Sequence, residues 1–205
     1  TMICTIVGDI HGRISTITNL LCEPSIPKPL IQLGDFGYEI TLLKVKNISK
    51  EDLMIVGGNH DEYPILKTIE PYLGDFGLIP GTEKTFFVRG ASSPDKAGRK
   101  RHIDWWSEEE LSHAEGNRML DLYEQIKPDF MITHDCPSSM KKHQVHLYNF
   151  PDSESYTGKL FDECLKIHTP KNWVFGHWHV NSSTNVNGCH FECIGMNQFQ
   201  IFEIR

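Results

Sequence analysis

The sequence predicts an α/β fold with its functional groups gathered at one edge of a sheet. Two observations carry that expectation. Apolar runs of strand length alternate with stretches of helical period along the 205 residues. Five of those runs stop directly at side chains that offer oxygen or imidazole nitrogen. Met2-Ile3-Cys4-Thr5-Ile6-Val7 leads to Asp9 and His11, Leu30-Ile31-Gln32-Leu33 to Asp35, and Leu53-Met54-Ile55-Val56 to Asn59 and His60. Phe130-Met131-Ile132 leads to His134, and Trp173-Val174-Phe175 to His177 and His179. Strand ends at one sheet edge are where open α/β proteins collect binding groups.

The elements follow in order. Residues 15–22 fit a short helix, stopped by Pro24, Pro27 and Pro29 because proline has no amide proton to continue the ladder. Strands are expected over residues 30–33 and 53–57, and a helix begins after Asp61 and ends before Pro71. Residues 84–89, Lys-Thr-Phe-Phe-Val-Arg, read as a strand. Residues 91–102 are rich in Ser, Gly, Pro and charge and read as a loop. Ser107-Glu108-Glu109-Glu110 has a capping-box pattern with acidic residues at the positive helix end, so a helix is expected from Ser107. Leu111, Met119, Leu122 and Ile126 carry its period to Pro128. Residues 135–155 form a long loop of a length that in a compact domain usually serves function. A helix over 156–167 follows, and residues 181–204 alternate like a hairpin or meander with Asn187-Gly188 as its tight turn. No repeat or linker divides the chain, so one domain is expected over residues 1–205.

Composition excludes several classes. A formal net charge of −7 argues against broad non-specific nucleic-acid binding, which needs Lys and Arg to neutralise phosphates. No run approaches the roughly 18 apolar residues of a membrane span. The short first strand lacks a basic lead, so no secretory signal is expected. The six cysteines contain no CxxC pair, and Cys4 and Cys193 sit in strand-like runs. Buried free thiols and a cytoplasmic location are therefore the expectation.

The motifs also have a chemical reading. Asp9 and His11 are two apart on an extended segment, as are His177 and His179, so each pair can face inward past a strand end. Asn59 adds a neutral carbonyl oxygen and His134 another imidazole. Two metal ions about 3.5–4 Å apart need a shared ligand, and the carboxylate of Asp35 is the candidate. A mixed N/O set without thiolate suits manganese first, with iron, zinc, nickel or magnesium as alternatives. Each pair alone is a weak signal; their joint occurrence, each after a strand, is a strong one. Trp105-Trp106 either stack on a ligand ring or anchor their loop to the core.

The series Asp9-x-His11, Gly34-Asp35, Gly58-Asn59-His60-Asp61, His134 and Gly176-His177-x-His179 resembles the calcineurin-like metallophosphoesterase family, in that family's order. The resemblance implies a fold of two packed mixed sheets flanked by helices, and two divalent ions at the strand ends. It implies that Asp9, His11 and His179 hold one ion, that Asn59, His134 and His177 hold the other, and that Asp35 bridges them. His60 would protonate the leaving oxygen or steady the transition state. The second motif departs from the family's Gly-Asp-x-x-Asp-Arg, with Tyr38 and Glu39 at the last two positions. Glu39 or Asp61 could then orient His60, and Arg99 and Arg101 become candidates for substrate binding. The function implied is metal-dependent hydrolysis of a phosphate ester, as a phosphodiesterase or phosphatase on a nucleotide or nucleic-acid-derived substrate. A protein phosphatase, or a catalytically silent interaction module on the same fold, are the alternatives.

Overall fold

The computed structural model describes residues 1–143 and 155–205. Among these residues ten strands form two mixed sheets that pack face to face, with helices on both outer sides. In the smaller sheet β1 (Met2–Val7), β2 (Leu30–Gln32) and β3 (Leu53–Ile55) run parallel, and β10 (Phe199–Ile204) pairs antiparallel with β1. In the larger sheet β5 (Thr85–Val88), β6 (Phe130–Thr133), β7 (Asn172–Phe175) and β9 (Cys189–Cys193) run parallel. Two antiparallel edge strands complete it: β4 (Phe76–Leu78) beside β5 and β8 (Ser182–Val186) beside β9.

Both faces of the parallel strands are covered, which is why they read as continuous apolar runs in place of alternating ones. Ile6, Ile31, Leu33 and Met54 meet Phe87, Phe130, Ile132 and Val174 between the sheets. The opposite faces of the same strands, at Leu30, Leu53 and Ile55, pack under α1 (Ile14–Cys22), α2 (Glu39–Val45) and the single turn α3 (Tyr63–Leu66). Phe86, Met131, Trp173 and Phe175 pack under α4 (His113–Ile126) and α5 (Tyr156–Ile167).

Register sets the functional edge. Val7, Gln32 and Ile55 are aligned partners, as are Val88, Thr133, Phe175 and Cys193. The chain therefore leaves five parallel strands at matched heights, and every motif begins within a few residues of those ends.

Three expectations are corrected. No α-helix starts at Ser107: residues Ser107–Glu109 make one 3-10 turn, and α4 starts at His113, with Ser112 and Glu115 forming the capping box. The acidic side chains are drawn elsewhere, Glu109 to Ser93 and Glu110 to Thr157. The helix after Asp61 is only α3, and α2 and β4 were not expected at all. The Asn187-Gly188 turn joins β8 to β9 as expected, both residues left-handed. Of the long loop at 135–155, residues 138–143 form a 3-10 helix and 144–154 lie outside the described residues. All six cysteines are free, and only Cys22 is exposed. Among the described residues no helix is long and apolar enough to cross a membrane.

Candidate metal centre

The motif glycines let backbone and ligands approach closely. A Cβ on Gly58 would stand 2.3 Å from Asp35 Oδ1, and one on Gly176 would stand 2.4 Å from Asp9 Oδ1. Only glycine fits between these carboxylates and the neighbouring strand end. Asp61 braces the second and third motifs together. Its buried carboxylate accepts from the amides of Asp35 (3.0 Å), Gly37 (2.9 Å) and Gly58 (2.8 Å). His11, Asp35, His177 and His179 all adopt left-handed backbone angles, which side chains other than glycine rarely take.

Two groups of ligand atoms result. Asp9, His11, Asp35 and His179 offer donor atoms that all lie within 4.8 Å of one another, and so do Asp35, His134 and His177. Asn59 joins the second group, its Oδ1 2.9 Å from His134 Nε2. The two oxygens of Asp35 face different ways: Oδ2 is 3.5 Å from His11 Nε2, and Oδ1 is 3.3 Å from His134 Nε2. One carboxylate therefore borders both groups of donors.

The donor chemistry fits cations at both. His134 Nδ1 donates to Leu33 O at 2.6 Å, so in the neutral ring it is the Nε2 lone pair that points towards Asn59 Oδ1 and Asp35 Oδ1. His11 Nε2 and His179 Nε2 meet at 2.9 Å. Asp9 Oδ2 is buried without a hydrogen-bond partner, although His179 Nε2 lies 3.2 Å away. Carboxylate and imidazole groups that converge this closely are stabilised by a positive ion between them. Without one, burial, Asp9 and Asp61 push the Asp35 carboxyl up to about 7, with His134 opposing. Burial drives His177 well below the usual imidazole range.

A sequence model of calcineurin-like phosphoesterases matches residues 2–181. The chain belongs to that family. Among solved structures it is similar to the phosphopantetheinyl hydrolase of Mycobacterium tuberculosis, with a TM-score of 0.58, 12% identity, and 94% of this chain and 90% of that one covered. It also matches GAP50, the anchor in the inner membrane complex of Plasmodium, at a TM-score of 0.45 and 10% identity, over 96% of this chain and 73% of the other. No curated protein matches it in sequence. Family membership carries metal-dependent phosphoester hydrolysis in general, and it accords with the Asp/His cluster at the strand ends.

Beside this Asp/His cluster lies a cavity of about 260 Å³, lined by candidate ligands and by His60, Pro94, Asp95 and Trp178. His60 donates its amide to Asp35 Oδ1 at 2.7 Å, and its Nε2 lies 3.9 Å from Asp95. Burial and the Arg99 guanidinium hold its imidazole down to about 4, so it is uncharged at neutral pH.

The carboxylate near His60 is thus neither of those expected. Asp61 is taken up by backbone amides, and Glu39 is exposed at the start of α2. Tyr38 packs against Trp106, ring centres 5.9 Å apart. The two arginines expected to bind substrate behave differently from that expectation. Arg99 is 6% exposed and its guanidinium is occupied by Asn59 O, Ser93 Oγ and Asp104 O. Arg101 is exposed and does not line the cavity. Trp106 is buried in the core under the smaller sheet, and Lys96 sits over the Trp105 ring at 4.4 Å, so both tryptophans anchor the loop. Asp95 and Ser93 were not singled out in sequence, since a Ser-Ser-Pro-Asp run inside a polar loop carries no signal of its own.

Proposed function

We propose that the protein is a dinuclear metal-dependent phosphoesterase acting on a small phosphate ester, a nucleotide or nucleic-acid-derived monoester or diester. The observation that supports this best is the shared carboxylate: two groups of N/O donors meet at Asp35 through its two different oxygens. Asp9, His11 and His179 would hold one ion, Asn59, His134 and His177 the other, and Asp35 both. The absence of thiolate favours manganese, with iron, zinc, nickel or magnesium as alternatives. When bound, such a pair supplies Lewis-acid polarisation of the phosphate and acidification of water.

The protein's own residues do the rest. His60 lines the cavity and, as a neutral imidazole, donates a hydrogen bond to the phosphate or to the leaving oxygen. Gaining a proton for transfer becomes easier once an anionic phosphate lies beside it. Among the described residues that line the cavity none is Lys or Arg, and Lys141 Nζ stands behind it, over the Trp178 ring at 5.1 Å, so the ions and His60 would meet the substrate's charge first. The cavity's size favours a small ester over a protein phosphatase. Asp95 at the rim and the net charge of −7 oppose a long polyanion. All eight expected metal and catalytic positions carry competent side chains, which speaks against a silent module.

The test is turnover of phosphomonoesters, phosphodiesters, cyclic nucleotides and short oligonucleotides, with each metal and with chelator. Activity on small esters that vanishes with chelator, returns with manganese and is lost in Asp35→Asn supports the reading. Chelator-resistant turnover, or an active Asp35→Asn protein at saturating metal, would sink it.

A further inference from the structure

A closed polar cluster stands behind Asn59, and the proposed reaction does not use it. The Asn59 side-chain nitrogen donates to Ser93 Oγ at 3.0 Å, while its oxygen lies on the opposite side, 2.9 Å from His134 Nε2. Ser93 Oγ accepts a second bond from Arg99 Nη1 at 2.6 Å and donates to Glu109 Oε2 at 2.5 Å. The other Glu109 oxygen accepts from the Ser93 amide at 3.4 Å. Asn59, Ser93 and Glu109 are 1%, 3% and 2% exposed, so water does not compete for these bonds.

The direction of every bond in this cluster is fixed by chemistry. A hydroxyl has one proton and two lone pairs. Glu109 as a carboxylate only accepts, so it takes the proton. Arg99 only donates, so it takes one lone pair. One lone pair remains, and it faces Asn59. Only an N–H can meet it, which forces the amide nitrogen towards Ser93 and the amide oxygen towards His134 and Asp35. A flipped amide would set oxygen against a lone pair at Ser93 and aim two N–H groups at the place a cation would occupy.

We infer that Ser93 is a positioning residue that fixes the rotation of the Asn59 amide, so that its oxygen and not its nitrogen faces the second metal position. Glu109 and Arg99 act through Ser93 by fixing where its proton goes. The inference rests on the dinuclear reading for its consequence and on the hydrogen-bond chain for its cause, and the two are measured separately.

The cause is read in the metal-free protein by nitrogen-15 NMR, with the Asn59 side-chain NH2 assigned from its loss in Asn59→Asp. In the wild type one of its protons is held by Ser93 and exchanges slowly; in Ser93→Ala it shifts upfield and exchanges faster. The consequence is read by calorimetric titration with manganese. Residues that orient a ligand are worth about 10–100-fold in metal affinity. Ser93→Ala should therefore weaken one of two ions by that factor, leave the other at wild-type affinity, and melt metal-free within a few degrees of wild type. Glu109→Gln keeps the shape and the hydroxyl but lets the proton turn, so it weakens the same ion by a smaller factor. It carries the test alone if Ser93→Ala does not fold.

An unchanged Asn59 resonance in Ser93→Ala, or equal weakening of both ions with a large fall in melting temperature, overturns the positioning role. So does wild-type affinity for both ions in both variants. A wild type that takes fewer than two ions defeats the dinuclear reading instead, and the resonance still decides the role of Ser93.

Discussion

Replacing Asp61 by Asn tests how the second and third motifs are held together. The Asp61 carboxylate is fully buried and takes three backbone amides, Asp35 and Gly58 on Oδ2 and Gly37 on Oδ1. An Asn of the same shape can keep its oxygen at the Oδ2 position and retain two bonds. Its NH2 then meets the Gly37 N–H, donor against donor. A hydrogen bond to a charged partner contributes about 1.5–3 kcal/mol, and a buried donor left without an acceptor costs about 1–3 kcal/mol. Burial already raises the Asp61 carboxyl, against the pull of the Gly37 and Gly58 amides, so losing the charge offsets part of that cost. A net loss of about 2 kcal/mol follows, or a melting temperature lower by about 4–8 °C in a domain of this size. The assay is calorimetry of the metal-free variant at pH 8, where metal loss cannot contribute. A melting temperature equal to or above wild type would refute the bracing role.

His60→Ala should lower turnover by about 10²–10⁴-fold with metal content intact, and by less for esters with low-pKa leaving groups. An equal loss across leaving groups points to phosphate contact in place of proton donation. Arg99→Ala should lower the melting temperature, because its buried guanidinium binds Asn59 O, Ser93 and Asp104. Arg101→Ala, at an exposed position, should stay within about 0.5 kcal/mol of wild type, and the reverse order would contradict this placement. Metal affinity should fall with pH through about 7: Asp35 is raised to that value, and its protonated form has no charge to offer an ion. Calorimetry from pH 8 to pH 6 should show proton release on binding, and a flat affinity profile would count against Asp35 as a shared ligand.

The strand ends were legible in sequence because buried parallel strands are apolar on both faces and stop abruptly where ligands begin. Leu30–Gln32 and Phe130–Thr133 needed no tertiary information. Helix α2 was hidden because its apolar residues lie on both sides: Leu42 and Val45 are buried, while Ile40 is 79% and Leu43 44% exposed. The start of α4 was misplaced because both Ser107 and Ser112 are followed by glutamate at capping distance. The choice between them is made by Glu109 reaching Ser93 and Glu110 reaching Thr157, contacts 16 and 47 residues apart in the chain. Arg99 misled for a related reason. Sequence shows charge, not whether backbone carbonyls and a hydroxyl already surround it. The seven metal candidates were legible as a set, whereas the Ser93 cluster behind Asn59 exists only once the loop folds back.

The left-handed backbone at His11, Asp35, His177 and His179 has an evolutionary consequence. Each residue stands where the chain disfavours any side chain, by an amount of roughly 1–2 kcal/mol. Glycine would relieve that strain at all four positions and would abolish the donor in doing so. Drift towards a more stable protein and drift towards an inert one therefore run in the same direction along this edge. A descendant released from selection for chemistry would be expected to shed these four side chains early, gaining robustness as it falls silent.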